Sequence, residues 1–250
     1  MSSVDFVGRG VAMLSPDSAA ERPPVVLQSG LPYAGAVALT PEVLAEPRRR
    51  RHLFAKRVVD ILLSGAALIA LMPLMLLVAA IIKITSSGPV TFRQWREGVN
   101  GTSFEILKFR SMRQDMCDLS GVAQTASNDP RVTAIGRFIR RTSIDELPQL
   151  INVLRGDMSL VGPRPHVDNM RAGGMAYKEL VPYYHLRLQM QPGLTGWAQA
   201  NGFRGSTTDP VRARQRIDHD IAYIQNFSIW LDLRIILITL VREFVGGSGE

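Results

Sequence analysis

The chain has 250 residues, 46% of them hydrophobic, enough for a sizeable core in one large domain or two small ones. Its net charge of +7 fits a nucleic acid, an anionic membrane surface or a phosphorylated ligand as partner. The single cysteine, Cys117, excludes an internal disulfide and a thiol-rich zinc site, the four histidines lack metal-ligand spacing, and no glycine-loop nucleotide motif occurs.

Residues 1–47 carry six prolines and little periodicity, and predict a mostly disordered tail without the pattern of a secretory signal. Residues 48–84 read as a basic juxtamembrane segment (Arg48 to Arg51, Lys56, Arg57) followed by a membrane helix. From Ile61 to Ile82 no residue is charged, and at about 1.5 Å per residue the run is long enough to cross a hydrocarbon core of about 30 Å. Cations flank both ends, with Lys83, Arg93 and Arg96 following, so the positive-inside bias wants both ends on the cytoplasmic side. Pro73 lies near the middle, where a proline removes a hydrogen bond and bends a helix. These features favour a re-entrant helix–break–helix that enters one leaflet and turns back, with a spanning helix as the alternative.

Residues 85–250 read as the second folded unit. Two β-prone runs flank Asn100-Gly101, a strong hairpin signal. Alternation on the second strand puts Lys108 and Arg110 on one face, aimed together at an anion or simply at water. Residues 113–130 read as a loop, and Thr133 to Arg141 as a short helix carrying Arg137, Arg140 and Arg141. Next comes T-S-I-D-E-L-P-Q-L-I-N-V-L-R-G, in which Leu147, Leu150, Ile151 and Leu154 fall on one helical face and Gly156 sits where a helix would end. Pro148 is tolerated in a first turn, which places Asp145 near the N-cap and Asp145-Glu146 at the positive end of the dipole. The pair is either a helix cap or a carboxylate centre inside a cationic pocket. Arg164, clamped between Pro163 and Pro165, presents its planar fork from a stiff backbone. Residues 169–190 read as a loosely amphipathic helix and Gly193–Gly205 as a glycine-rich loop. Asp209-Pro210 starts another helix, and Ile229 to Phe244 reads as an in-plane interfacial helix.

The apolar segment with its central proline, then K-F-R-S-M, then R-R-T-S-I-D-E-L-P-Q-L-I-N-V-L-R-G-D-M-S-L-V-G-P-R-P, then P-G-L-T-G-W-A-Q, resembles the bacterial sugar transferases. These are monotopic polyprenyl-phosphate phosphoglycosyl transferases that start exopolysaccharide assembly. The resemblance covers Phe54 to about Phe244. Longer members carry a multi-span region at the N-terminus, and this chain resembles their catalytic part alone.

The resemblance implies an α+β, predominantly helical monotopic membrane protein at the cytoplasmic face of the bacterial inner membrane, with a catalytic domain over 85–250. It implies transfer of a sugar 1-phosphate from a nucleoside diphosphate sugar (UDP-glucose or UDP-galactose) to undecaprenyl phosphate, with Mg²⁺. Asp145 would be the nucleophile holding a covalent phospho-sugar, and Glu146 its partner, both near the metal. Arg140 and Arg164 match arginines expected near the phosphates, Lys108 and Arg110 the K-F-R motif, and Pro73 the helix-breaking proline, although Met72 stands where relatives often have serine. Besides donor and acceptor, the implied partners are membrane lipids and no nucleic acid, with homo-oligomerisation left open. A non-catalytic basic membrane adaptor is the competing reading. A carboxylate attacking a diphosphate needs charge neutralisation, and on this reading the helix N-terminus and its arginines lower the pKa of Asp145.

Overall fold

The computed structural model of the chain describes residues 25–27, 29–35, 46–113, 129–205 and 208–246. Most of the expected 113–130 loop, with Cys117, lies outside the described residues, as does most of the expected tail.

Helix α1 runs Pro47–Thr85, 39 residues and about 58 Å. The expected break does not interrupt it, because the helical assignment continues through Pro73. A proline's fixed φ is already helical, so it costs one hydrogen bond and permits a bend without unwinding the turn. Midway, α1 exposes Ile69, Met72, Leu74, Leu76 and Leu77.

Both ends of that stretch are fastened to one body. At the start, Arg49 donates to the Ile224 carbonyl at 2.8 Å. Lys56 Nζ donates to Asp232 Oδ2 at 2.7 Å and to the Val161 carbonyl at 2.8 Å. Arg57 reaches the carbonyls of Val153 (2.6 Å) and Leu154 (2.8 Å), and Asp60 accepts from the Leu160 N–H at 3.0 Å. At the far end, Val78 and Ile82 pack against Phe109 and Ile139. Much of the basic run that reads as juxtamembrane charge therefore docks the helix.

Strands β3 (Thr91–Glu97) and β4 (Ser103–Phe109) form the expected antiparallel hairpin. Its turn places Asn100 (φ 52°) and Gly101 (φ 76°) in the left-handed region that Asn-Gly accepts most easily. Next come α2 (Ala134–Arg141) and α3 (Gln149–Arg155), with a 3₁₀ turn over Ile144–Glu146 between them. Strand β5 (Ser159–Val161) pairs in parallel with β8 (Gly193–Thr195). There the backbones touch: a Cβ on Gly193 would lie 2.0 Å from the Gly162 nitrogen, so both positions require glycine.

The 169–190 segment is not one helix. It folds as a small hairpin, β6 (Arg171–Ala172) and β7 (Met175–Ala176), then α4 (Tyr177–Leu180) and a 3₁₀ turn over Tyr184–Gln189. Gly173 (φ 57°) and Gly174 (φ 85°) turn the chain, and Pro182 stops α4 from continuing.

After α5 (Trp197–Ala200), Asp209 caps α6 (Pro210–Gln225) by accepting the Val211 N–H at 2.8 Å. Ala213, Ile217, Ile221 and Ile224 of α6 form the centre of the main core with Trp197, Tyr177, Tyr184 and Val161. Helix α7 (Ile229–Gly246) buries Leu231 and Ile235 against that core while leaving Trp230, Leu233, Leu237, Leu240 and Val241 exposed.

Part of the expected tail is ordered. Strands β1 (Val25–Val26) and β2 (Pro32–Tyr33) pair, and Leu31 and Tyr33 pack on the main core. Tyr33 donates to Asp218 at 3.0 Å and Trp197 to Ser29 at 3.0 Å, so partners distant in sequence hold a segment with little periodicity of its own.

Candidate active site

The site is built where α2, the 3₁₀ turn, β4 and the loop after β5 meet. Thr133 caps α2 by accepting the Gly136 N–H at 2.9 Å. Gly136 lets α2 press on the exit of β4, since a Cβ there would lie 1.9 Å from the Ser111 carbonyl oxygen. Ser143 then turns the chain at φ 53°, and the 3₁₀ turn presents Asp145 and Glu146.

Asp145 is therefore not a helix N-cap. Helix α3 starts four residues later, capped at Pro148, because the 3₁₀ turn takes up residues assigned to its first turn. Gly156 does end α3 in the left-handed conformation, at φ 94°.

Glu146 collects the cations. Lys108 Nζ lies 2.7 Å from Oε1, and Arg164 Nη2 also lies 2.7 Å from Oε1. Burial would raise the Glu146 pKa, but the charges and hydrogen bonds of Arg164 and Lys108 outweigh it and hold the carboxyl well below the usual range.

Asp145 has the opposite environment. It is 8% exposed, and among the described residues no hydrogen bond or ion pair reaches its carboxylate. Burial pushes its pKa up to about 6, with the neighbouring Glu146 charge adding to the rise, while Lys108, Arg140 and Arg164 pull it down. The lowered pKa expected from a helix N-terminus and arginines is overturned, because burial dominates and the nearest cations are spent on Glu146.

The structure thus brings together Asp145, Glu146, Lys108 and Arg164, with Arg140 half-buried close by. Arg110 is not among them. It lies just beyond β4 and donates to the carbonyl and hydroxyl oxygens of Ser86 at 2.8 and 2.7 Å, tying the C-terminal end of α1. Arg137 and Arg141 are exposed, and Pro73 belongs to the exposed stretch of α1.

Several supporting residues escape a sequence reading. Arg187 donates to the Arg164 carbonyl at 2.5 Å and forms an almost fully buried ion pair with Asp220 at 2.8 Å. Arg96 donates to the Pro165 carbonyl at 3.3 Å. Together they hold two consecutive carbonyls of P-R-P. The available signal was Asp220 itself, a charged residue amid Ile217, Ile221 and Ile224.

Among the described residues no group of three or more His, Cys, Asp or Glu side chains forms a metal cluster. Mg²⁺ commonly takes one or two protein carboxylates and completes its shell with water and substrate phosphates, so Asp145 and Glu146 fit a metal that arrives with a phosphorylated ligand.

The family model described as bacterial sugar transferase matches residues 51–246. The chain is 56% identical over 197 residues to the exopolysaccharide production protein PSS of Rhizobium leguminosarum bv. phaseoli, covering 79% of this chain and 98% of that protein. It is 53% identical over 197 residues to an undecaprenyl-phosphate glucose phosphotransferase of Komagataeibacter xylinus, covering 79% of this chain and 37% of the relative. It is 42% identical over 220 residues to the UDP-glucose:undecaprenyl-phosphate glucose-1-phosphate transferase of Escherichia coli K12, covering 88% of this chain and 46% of the relative. The chain spans nearly all of the first relative and less than half of the other two. It belongs to the bacterial sugar transferase family.

Proposed function

We propose that this protein transfers a sugar 1-phosphate from a UDP-sugar, glucose or galactose, to undecaprenyl phosphate at the cytoplasmic face of the bacterial inner membrane. The observation that carries the reading is the asymmetry of the dyad: Glu146 is held by two cations at 2.7 Å, while the adjacent Asp145 carboxylate has no bonded partner among the described residues. A carboxylate buried beside cations but bonded to none of them is suited to nucleophilic attack.

Asp145 attacks the sugar-linked phosphorus, the bond from that phosphorus to the bridging oxygen breaks, and the nucleoside monophosphate leaves. A phosphate oxygen of the lipid then attacks the phospho-sugar on Asp145, forming the lipid diphosphate sugar and freeing the carboxylate. Lys108 and Arg164 supply positive charge beside the phosphoryl oxygens, with Arg140 adding to the field. Asp145 and Glu146 would hold Mg²⁺, which when bound neutralises charge on the diphosphate.

The acceptor's phosphate lies at the membrane surface. The exposed apolar residues of α7 and of central α1 support a membrane-seated body, and the attachment of both ends of α1 to that body supports a re-entrant segment. A spanning helix would carry Lys56 and Ile82 to opposite sides of the bilayer.

The test incubates membranes with radiolabelled UDP-sugars and polyprenyl phosphate, with product identification. Lipid-linked label is expected, and without lipid the labelled phospho-sugar is expected on the protein. Product formation near wild type by Asp145→Asn would remove the nucleophile assignment. With Cys117 replaced, cysteines at positions 2 and 248 are both expected to label from the cytoplasmic side, whereas labelling from opposite sides indicates a spanning helix.

A further inference from the structure

Among the described residues strand β4 pairs with β3 alone, so half of its backbone groups face away from the hairpin. Arg110 N–H bonds the Val90 carbonyl across the hairpin, so even-numbered residues of β4 face β3 and odd-numbered ones face outward. At this free edge the outward groups of Glu105 and Leu107 are met by a side chain. Asn152 of α3 is fully buried, at 0% exposure. Its Oδ1 accepts the Leu107 N–H at 2.9 Å, and its Nδ2 donates to the Glu105 carbonyl at 2.7 Å. The second Nδ2 hydrogen goes to Asp157 Oδ2 at 3.0 Å. This orientation is fixed by chemistry, since an N–H at Leu107 needs an acceptor and a carbonyl at Glu105 needs a donor. Asp157 is delivered by the left-handed Gly156 that ends α3, and its own N–H bonds the Asn152 carbonyl at 3.0 Å.

We infer that Asn152 is a positioning residue: its carboxamide does for β4 what a third strand would do, and so sets Lys108 against Glu146. Lys108 immediately follows the clamped Leu107, while Glu146 lies six residues before Asn152 on the same turn-and-helix segment. Besides the apolar packing that Ile106 shares with Val153, strand and segment are thus joined by polar contacts of two kinds, one neutral and buried, one charged at 2.7 Å. An ion pair alone leaves a long lysine free to swing. The clamp fixes the register from which it reaches.

The placement can be read by zero-length carbodiimide cross-linking, with Lys108–Glu146 followed by mass spectrometry and Lys178–Glu97, also at 2.7 Å, as internal reference. In Asn152→Ala the Lys108–Glu146 cross-link is expected to fall about fivefold or more relative to the reference. An unchanged ratio, or equal loss of both cross-links, overturns the inference. Asp157→Ala keeps both bonds to β4 and removes only the third, so a smaller fall in the same ratio is expected if Asn152→Ala folds poorly, and no fall there overturns it.

A kinetic arm rests on the proposed transfer reaction. Asn152→Ala is expected to lower kcat/KM about tenfold in the wild-type background but less than about twofold in Lys108→Met, because residues acting through one another are not additive. Effects that multiply would overturn the inference. Absence of transfer by the wild-type protein would instead count against the proposed function, and the cross-linking arm would still decide the role of Asn152.

Discussion

Two groups of cations in this chain look alike in sequence and act differently in space. At the start of α1, Arg49, Lys56 and Arg57 end on backbone carbonyls and on Asp232. At the dyad, Lys108 and Arg164 meet on one carboxylate, while its neighbour has no bonded partner among the described residues. The first group spends its charge on holding a helix. The second converges on Glu146, and the result is two adjacent acids displaced in opposite directions. The density of cations alone does not tell the two groups apart, since each includes a lysine 2.7 Å from a carboxylate.

The largest expected effect breaks the dyad. Asp145→Asn should lower transfer at least about 10³-fold in the radiolabel assay while the protein remains folded. On the proposed mechanism Arg164→Ala should lower kcat about 10²-fold, since it removes a positive charge from beside the dyad, with little change in melting temperature. Lys56→Met probes the other group and should reverse that pattern. It strands the buried Asp232 charge, costing on the order of 3 kcal/mol in denaturant unfolding, with kcat/KM of the folded fraction unchanged.

A smaller effect follows from pH. The Asp145 pKa is about 6 in the folded protein and near 3.8 otherwise, so folding favours its protonated form. Wild type therefore loses stability as pH rises from about 4 through about 6, relative to a variant that cannot ionise there. In metal-free buffer Asp145→Asn should be more stable than wild type above pH 6, by on the order of 2 kcal/mol, and the two should converge near pH 4. Equal melting temperatures at every pH would mean that Asp145 is not desolvated.

The hairpin, α2, α6 and α7 were legible because each rests on local rules: Asn-Gly at the turn, Thr133 and Asp209 as caps, and apolar periodicity. Asp145, Glu146, Lys108 and Arg164 were legible through their motifs, and the structure brings them together. What could not be read is set by contacts distant in sequence. Arg110 shares the alternation of Lys108 but ends on Ser86, because the end of α1 happens to lie there. The 169–190 segment has helical periodicity, yet Gly173, Gly174 and Pro182 override it. The Asp145 pKa had the wrong sign because a sequence gives the charges near a residue but not its burial.

The attachment of α1 at both ends bears on the lipid environment. A helix that crosses a bilayer must match its hydrocarbon thickness, and mismatch is relieved by tilt or by deforming the lipid. On the proposed re-entrant placement, a helix with Lys56 and Ile82 anchored in one body has no such length to match. Acyl-chain length in reconstituted vesicles should then matter little to this protein, and headgroup charge should matter more.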